Sequence, residues 1–498
     1  MMRLTIDDRE LEVADGTTVL AAADRLGLRI PRFCHHPRLS SPGNCRMCVV
    51  EVEGAEELVI SCREPVRDGM KVRTDTPEVR QARADVLEFM LLNHPLDCPV
   101  CDQSGECALQ ELYFEHSQRP SRLMDPKVRK RKAARIGPHV MLDAERCVQC
   151  TRCVRFCDEV VGRHEIGLCE RSDRTEISVS AGIEFSNAYS LCAVDICPVG
   201  ALTSIDFRFK KRVWYLSSSP TICTGCSRGC NVWLDRSEGV PYRMRSRENE
   251  AVNKSWMCDY GRMTYKRALS VNRLQTPLIL SDHEMKEVAW KDALLRLTEL
   301  VSAGARDCVC VLSARSSIEE NLAFMRLCRE LLGARRFYYT GSDPDPSFAD
   351  SILRTADKNP NFAGVSMIAD GPMGELPQKC GVAILDGLAA GELMELVSAS
   401  PAWTLLVTAE KQQSGSWADV VLPKATHFEQ QGTFISAGNI LQRADAALDP
   451  PAGVPPAWAV AGRIANAMGL DWEMMDAAAC RAWGKANIQA LAKMEGSL

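Results

Sequence analysis

The chain has 498 residues, 60 of them Lys or Arg and 65 Asp or Glu, so its formal net charge is -5. This length predicts about three domains, and the near-balanced charge gives no reason to expect a nucleic acid or an anionic membrane surface as partner. No stretch reaches the roughly 20 apolar residues that span a bilayer. The start, MMRLTIDDRE, lacks the apolar core of a secretory signal, so we expect a cytoplasmic protein.

The first elements predict a small α+β domain over residues 1–75. The strings RLTID and LEVA indicate two short strands joined at Asp7 and Asp8, and a helix follows from about Thr18 to Leu26, ended by Gly27. Strand-like CVVEVE and LVISC come next. This order is typical of a ferredoxin-like (β-grasp) domain.

A second domain, over residues 76–125, is expected to begin with a helix that has Thr76 as N-cap and Pro77 in its first turn. Its apolar residues recur at helical spacing and predict the face that packs on the core: Val79, Ala82, Val86, Phe89 and Met90. Residues 120–140 are rich in Pro, Arg and Lys and predict a linker. Their basic cluster lacks aromatics and indicates a solvated linker or a docking surface: Lys127, Arg129, Lys130, Arg131, Lys132 and Arg135.

Beyond residue 280 helices and strands alternate, which predicts an α/β domain with a largely parallel sheet over residues 271–498. A helix is expected near residues 287–303, then strand CVCVLSA, a helix through NLAFMRLCRELLG, and strands RFYYT, VAILD and TLLVTA. Neither a Gly-x-Gly-x-x-Gly fingerprint nor a phosphate loop occurs, so no nucleotide site is predicted.

The 23 cysteines are the main functional signal. Eighteen lie at or before Cys258, and clustered cysteines in a large cytosolic protein are more often metal ligands than disulfide partners. The first group is Cys34, Cys45, Cys48 and Cys62. A close pair with two outlying thiols resembles the plant-type ferredoxin arrangement for a 2Fe-2S cluster, with a zinc site as the alternative. Gly43 and Asn44 suit a loop whose amide groups surround the sulfurs.

The second group is His94, Cys98, Cys101 and Cys107 in HPLDCPVCDQSGEC. Three thiols and an imidazole are also compatible with zinc. The string, however, resembles the segment of iron-only hydrogenases and of the 75 kDa iron–sulfur subunit family of NADH-quinone oxidoreductase (complex I) that binds a 4Fe-4S cluster with one histidine ligand. The resemblance implies that His94 is a ligand, whereas His35, His36 and His116 are not.

The third group is Cys147, Cys150, Cys153 and Cys157, followed by Cys197 before Pro198, in a predicted domain over residues 138–210. In a two-cluster ferredoxin the fourth cysteine of each run serves the other cluster. Counting back from Cys197 in that register gives Ala193, Ser190 and Asn187. One 4Fe-4S cluster therefore remains, bound by Cys147, Cys150, Cys153 and Cys197; we interpret Cys157 as left over from the missing site, and Cys169 and Cys192 as structural.

The fourth group is Cys223, Cys226, Cys230 and Cys258, in TICTGCSRGC and WMCDYGR. It resembles the 4Fe-4S domain of molybdopterin oxidoreductases, here expected over residues 215–270. ADVVLPKATHFEQQGTF also resembles a segment that those enzymes share with the 75 kDa subunit family. Only 240 residues follow Cys258, and the lysine that commonly follows the fourth cysteine is replaced by Asp259. We therefore expect a shortened, vestigial molybdopterin-oxidoreductase-like domain without molybdopterin, in which the five later cysteines are ordinary buried residues.

Together the resemblances imply an iron–sulfur subunit of a translocase-type oxidoreductase that carries one 2Fe-2S and three 4Fe-4S clusters. It would relay electrons from the NADH-oxidising flavoprotein subunit toward quinone, with other iron–sulfur subunits of the peripheral arm as partners and no complete substrate site of its own. Its membrane association, on the cytoplasmic side, would be indirect. Two alternatives stay open: an electron-transfer subunit of a soluble NAD-linked hydrogenase, formate dehydrogenase or bifurcating complex, and a zinc-stabilised scaffold without redox function.

Overall fold

The structure is a computed structural model that describes residues 1–117, 119–270, 272–303, 307–388, 390–411, 417–472 and 476–493. The chain divides into two compact units, Met1–Leu216 and Ser217–Leu498. Within the described ranges, no helix combines the length and the apolar character needed to cross a membrane.

The first unit opens with the predicted hairpin and helix. Strands β1 (Met2–Ile6) and β2 (Arg9–Val13) are antiparallel, and the two residues between them, Asp7 and Asp8, have φ values of 45° and 65°. Aspartate is among the residues that tolerate this left-handed conformation, which a two-residue hairpin of this type requires. Helix α1 (Val19–Arg25) begins at Thr18, whose Oγ1 accepts from the Ala21 N–H at 3.2 Å. The predicted strands and helix are confirmed.

Strands β3 (Val49–Val52), β4 (Val59–Ile60) and β5 (Met70–Arg73) complete a sheet in the order β2-β1-β5-β3-β4. The β1–β5 pair is parallel and the other pairs are antiparallel. Alternate side chains of the strands and one face of α1 enclose a core that includes Leu4, Ile6, Leu20, Val50 and Val72. Residues 1–75 therefore have the mixed α and β content that the sequence predicts.

Helix α2 (Pro77–Leu92) begins where predicted, and its predicted buried face is confirmed only in part: Val79 is buried and Val86 and Met90 pack against a hydrophobic cluster, but Phe89 does not. Thr76 Oγ1 caps it by accepting from the Val79 N–H at 3.3 Å. The side chains that are buried are Val79, Arg83, Ala84 and Leu87, whereas Phe89 is 74% exposed and Ala82, Val86 and Met90 are only partly buried. The face is rotated because Arg83 enters the interior, where its guanidinium donates to the carbonyl of Val49 at 2.9 Å.

The rest of the first unit consists of short elements: α3 (Ala108–His116), β6 (Ala134–Arg135), β7 (Val140–Leu142), α4 (Arg152–Phe156), β8 (Ile166–Cys169), β9 (Glu176–Val179), α5 (Ser190–Asp195) and β10 (Leu202–Ser204). They form two small sheets, β10-β7-β6 and β8-β9, all of whose pairs are antiparallel. Most of this region is loop, so backbone turns position the cysteines.

Part of the basic segment is bound into the first unit, which contradicts a solvated linker there, whereas Arg129 is 84% exposed and the alternative of a docking surface stays a prediction. The Lys127 ammonium donates to the carbonyls of Leu91 and Leu92 at 2.9 and 2.6 Å, which are among the last carbonyls of α2 and lack helical partners. Lys132 lies 3.0 Å from a carboxylate oxygen of the buried Glu145. Composition alone missed these contacts because the partners are far away along the chain.

The second unit begins with an antiparallel sheet of β11 (Ser217–Ile222), β12 (Asn231–Ser237) and β13 (Val240–Ser246), followed by α6 (Asp259–Arg262). Its main body consists of β14 (Leu278–Ser281), β15 (Glu284–Glu287), α7 (Trp290–Ala303), β16 (Cys308–Ser313), α8 (Ile318–Glu330), β17 (Ala334–Thr340), α9 (Phe362–Ser366), β18 (Gly371–Pro372), β19 (Gly381–Leu385), α10 (Ala390–Ala399), β20 (Trp403–Thr408), β21 (Val420–Pro423), β22 (Gly432–Ile435), β23 (Leu441–Ala444), α11 (Ala457–Ala467), α12 (Ala477–Asn487) and α13 (Gln489–Ala492).

Eight strands of this body form one sheet in the order β15-β14-β21-β20-β19-β16-β17-β18. All pairs from β21 to β18 are parallel, and β14 and β15 are antiparallel additions at one edge. Every side chain of β16, β19 and β20 is buried, as expected for parallel strands that helices cover. The predicted largely parallel sheet is confirmed.

Candidate metal centres

The four cysteines of the first group lie together. Cys34, Cys45, Cys48 and Cys62 are each at most 8% exposed. The side chain of Cys34 makes hydrogen bonds with those of Cys45 and Cys62, and the side chain of Cys48 makes one with that of Cys62. These contacts lower the pKa of the Cys34 thiol and raise those of Cys45 and Cys62, so a proton is shared within the group, and thiolate is the form that binds metal.

The loop before the close pair surrounds the sulfur of Cys34, as the sequence indicated. Backbone N–H groups of Asn44 and Cys45 donate to the Cys34 thiol and contribute to its lowered pKa. Gly43 has φ +68°, and a Cβ there would lie 2.7 Å from Ile60 Cδ1. Glycine is thus needed for both conformation and space.

The three cysteines of the second group act on one another electrostatically. Burial raises the pKa of Cys107 to about 11, with further contributions from Cys101 and Cys98. Cys98 is exposed. A Cβ on Gly200 would lie 2.4 Å from Cys101 Sγ, so the turn that follows Cys197 packs directly on this group.

His94 has a different environment from the three thiols. Burial lowers the pKa of His94 to about 4, so its imidazole is neutral at pH 7, the form that ligates metals. The charges that act on it most strongly are those of Arg146, Lys127, Asp97 and Lys132. His94 lines a cavity of about 510 Å³, which Cys45 and Cys147 also line.

The four cysteines of the third group lie together. Cys147, Cys150, Cys153 and Cys197 line one narrow cavity, and the charges of the other three add to the burial that raises the pKa of Cys153 well above its usual range. The Gln149 N–H donates to Cys147 Sγ at 3.3 Å. The register argument therefore selects four cysteines that the fold brings together.

The leftover cysteines of this region do not line that cavity, although Cys157 also contributes to the raised pKa of Cys153. Cys157 is fully buried in the π-helical turn Cys157–Val161, and burial, followed by the charges of Glu165 and Asp158, raises the pKa of its thiol to about 12. Cys192 is buried and Cys169 is exposed. These three residues remain outside our proposed ligand sets.

The fourth group is compact and buried in the second unit. Cys223, Cys226, Cys230 and Cys258 are 5–7% exposed, and burial raises the pKa of Cys223 and of Cys258 to about 12. The Gly261 N–H donates to Cys258 Sγ at 3.3 Å. A Cβ on Gly261 would lie 2.8 Å from Cys223 Sγ.

Cysteines in proteins hold either single metal ions or iron–sulfur clusters, and the two need different arrangements of thiols. Over the part of the chain that the structure describes, no three His, Cys, Asp or Glu side chains are placed to hold a single metal ion. An iron–sulfur cluster distributes its thiolates over several iron atoms, and hydrogen bonds to its sulfurs tune its potential. The all-cysteine groups provide thiols together with N–H donors at sulfur, which fits such clusters.

The first three groups meet in one interior. A single hydrophobic cluster contains Cys34, Cys45 and Cys150, and Cys107, Cys147 and Cys197 pack against it. Sequence reasoning missed the arginines at this junction. The Arg155 guanidinium donates to the carbonyls of both Cys34 and Cys150; its position within CVQCTRCVRF was the available signal.

A polar cavity of about 210 Å³ lies at the carboxyl ends of the parallel strands of the second unit. It is lined by residues that include Lys424, Glu320 and Asp386. The buried Lys424 ammonium lies 2.5 Å from a Glu320 oxygen and 2.9 Å from an Asp386 oxygen. Burial works to lower the pKa of Lys424, but the two carboxylates raise it overall. The charge of this lysine is therefore balanced within the domain.

Models of known families match five segments. A 2Fe-2S iron–sulfur cluster binding domain matches residues 1–77, and an NADH-ubiquinone oxidoreductase-G iron–sulfur binding region matches 83–122. The ferredoxin-like domain of NADH-quinone oxidoreductase subunit 3 matches 137–203. The molybdopterin oxidoreductase Fe4S4 domain matches 216–270, and molybdopterin oxidoreductase itself matches 406–467. Each ligand group lies inside one of the first four segments.

Individual relatives point to the same family. The NADH-quinone oxidoreductase G subunit of Streptomyces coelicolor is 39% identical over 67% of this chain and 40% of its own length. The NADH-ubiquinone oxidoreductase 75 kDa subunit of Reclinomonas americana is 39% identical over 74% of this chain and 54% of its own length. The chain thus spans about half the length of these relatives.

Among solved structures, an NAD+-reducing [NiFe]-hydrogenase chain is 30% identical, with a TM-score of 0.39, and the match covers 43% of this chain and 91% of that one. The resemblance that the cysteine motifs predicted is confirmed by the curated relatives and by the order of the matched segments. The chain is therefore a relative of the 75 kDa iron–sulfur subunit family of NADH-quinone oxidoreductase.

Proposed function

We propose that this chain is the electron-relaying iron–sulfur subunit of an NADH-quinone oxidoreductase. It would accept electrons from the NADH-oxidising flavoprotein subunit and pass them, through further iron–sulfur subunits of the peripheral arm, toward quinone. The clusters carry the electrons, while the protein sets their spacing and potentials. The peripheral arm would associate with the membrane only indirectly.

The proposed ligand sets are one 2Fe-2S site and three 4Fe-4S sites: Cys34, Cys45, Cys48 and Cys62 for 2Fe-2S; His94, Cys98, Cys101 and Cys107; Cys147, Cys150, Cys153 and Cys197; and Cys223, Cys226, Cys230 and Cys258 for 4Fe-4S. The observation that carries the proposal is the shared interior of the first unit, where thiols of the first three groups belong to one hydrophobic cluster or pack against it. Such packing keeps neighbouring clusters close together and dry, as an electron relay needs.

We propose the corresponding division into five domains at the predicted boundaries, residues 1–75, 76–125, 138–210, 215–270 and 271–498. The first would have the β-grasp form, which is supported by the pairing of β1 antiparallel with β2 and parallel with β5. The last would be structural and would not bind molybdopterin. The balanced charge of Lys424 supports this role.

The proposal is tested by anaerobic purification of the full chain with analysis of iron, acid-labile sulfide and zinc. One 2Fe-2S and three 4Fe-4S clusters require about 14 iron and about 14 sulfide per chain. About four zinc without sulfide would instead establish the zinc-stabilised scaffold.

Copurification from the native organism tests the larger assembly. We expect a flavoprotein subunit and subunits of a membrane arm to purify with the chain. Purification with a hydrogenase or formate dehydrogenase subunit, and without membrane subunits, would assign the relay to a soluble NAD-linked enzyme.

A further inference from the structure

Arg152 is a partly buried cation that makes no ion pair with Asp or Glu among the described residues. Its guanidinium donates to the carbonyl of His35 at 2.6 Å and to that of Ile196 at 3.2 Å. Its Nε is buried without a hydrogen-bond partner. One side chain therefore connects the loop of the first group with the turn that leads into Cys197.

Arg146, which is buried in this unit, provides the contrast. Its side chain is 5% exposed and lies 2.8 Å from an Asp97 oxygen and 3.3 Å from an Asp143 oxygen. The fold compensates Arg146 with carboxylates, whereas Arg152, like the buried Arg83, donates to backbone carbonyls. What distinguishes Arg152 is that the two residues it contacts, His35 and Ile196, are the chain neighbours of Cys34 and Cys197.

The groups that favour the charged form of Arg152 are cysteine side chains of two ligand groups. Burial lowers the pKa of Arg152, and the thiols of Cys150 and Cys197 raise it, followed by those of Cys34 and Cys45. The first two belong to the third group and the other two to the first. An arginine stays protonated in proteins, so a positive charge lies between the two groups.

We propose that Arg152 is a positioning residue shared by the first and third groups, whose fixed charge raises the midpoint potentials of both clusters together. This inference rests on the proposed function, because it needs a cluster at each group. Reduction adds one electron to a cluster, while Arg152 keeps its proton and all its bonds. The added negative charge is attracted to the guanidinium, so the reduced state is favoured at both sites.

The test is a potentiometric titration of the anaerobically purified full chain, with dithionite as reductant and electron paramagnetic resonance (EPR) as readout. In Arg152→Gln the reduced-to-oxidised ratio of both clusters at fixed ambient potential should fall about tenfold, equivalent to about 59 mV for a one-electron couple. Arg152→Lys keeps the charge and should leave both potentials close to those of the unchanged chain. The matched control is Arg163→Gln, whose side chain is 71% exposed, and it should shift neither.

The proposal is overturned if Arg152→Gln keeps both signals and shifts only one of them or neither. If the glutamine variant fails to hold clusters, the lysine variant decides. A tenfold fall in the reduced-to-oxidised ratio of both clusters in Arg152→Lys would show that the positive charge is not the cause. If the unchanged chain lacks either signal, the proposed function itself fails. The unchanged chain therefore separates the two kinds of failure.

Discussion

The cysteines of the first unit and those of the parallel-sheet domain show that backbone context decides what a thiol can do. In the first unit the proposed ligands lie on loops and helix ends, next to residues with positive φ such as Gly43, Gln149 and Thr151, and N–H groups point at sulfur. In the sheet domain the five later cysteines are all buried. Cys308 and Cys310 lie on a strand, Cys328 and Cys480 lie on helices, and Cys380 immediately precedes β19.

The two sets also differ in what surrounds them. Cys308, Cys310, Cys328 and Cys480 belong to one large hydrophobic cluster. Burial raises the pKa of Cys310, as it raises those of the proposed ligands Cys107 and Cys153, so the pKa does not separate the two sets. Of the proposed ligands of the first unit, Cys34, Cys45 and Cys150 also lie in a hydrophobic cluster, but backbone N–H groups donate to sulfurs of the first and third groups. The two regions therefore differ in the backbone around the sulfur.

The largest effect is expected when a proposed ligand is compared with a nearby cysteine that is not one. Cys153 and Cys157 are only four residues apart, and only the first is a proposed ligand. Cys153→Ser should abolish the third-group cluster, so that iron falls by about 4 per chain, because serine does not replace a soft thiolate. Cys157→Ser, four residues later, should keep the full iron content. Equal loss in the two variants would refute the register assignment.

Replacing His94 by Cys tests whether an imidazole belongs to the second set. A neutral imidazole leaves a cluster less negative than a thiolate does, so His94→Cys should keep the cluster and lower its midpoint potential, which EPR titration measures. His164→Cys is the control, because the side chain of His164 is 87% exposed. An unchanged second-group signal in His94→Cys would remove His94 from the ligand set.

The charge balance in the sheet domain can be broken without touching a proposed ligand. Lys424→Met leaves Glu320 and Asp386 buried without their cation, and the loss of one partner of a buried pair costs about 3–5 kcal/mol. Chemical denaturation should show this loss, while EPR signals of the first three groups persist. Lys411→Met, an exposed pair with Glu287, should cost less than about 1 kcal/mol.

The smallest effect is expected from a single methyl group at the turn after Cys197. Gly200→Ala places a Cβ against Cys101 Sγ, which should destabilise the first unit by about 1–3 kcal/mol and broaden the second-group EPR signal. Gly167→Ala has no heavy atom within 4 Å of its added Cβ and serves as the control. If the two variants have the same spectrum and stability, Cys101 and Gly200 are not in contact.

Local chemistry made much of the fold predictable. Asp7 and Asp8 marked the hairpin, Thr76 with Pro77 marked the start of α2, and alternating apolar runs marked the parallel sheet. The buried face of α2 was predicted only in part, because Arg83, a charged residue, takes an interior position for a hydrogen bond to a residue 34 positions earlier.

In the candidate site, too, local sequence patterns were predictable and long-range contacts were not. Cysteine spacing predicted which thiols the fold brings together, because each all-cysteine set contains a Cys-x-x-Cys pair with its further members at spacings typical of iron–sulfur proteins. Arg152, Arg155 and Gly200 could not be selected, since their roles depend on contacts with residues such as His35, Cys34 and Cys101 that only the folded protein creates. Paired charges in the basic segment were hidden for the same reason.

The most direct test of the central claim, that the first unit holds neighbouring clusters in one interior, is the magnetic interaction between the first-group and third-group clusters. EPR of the dithionite-reduced protein should show a 2Fe-2S signal that relaxes faster when the third-group cluster is reduced, and this enhancement should vanish in Cys153→Ser. A 2Fe-2S signal with the same relaxation in both proteins would contradict the relay.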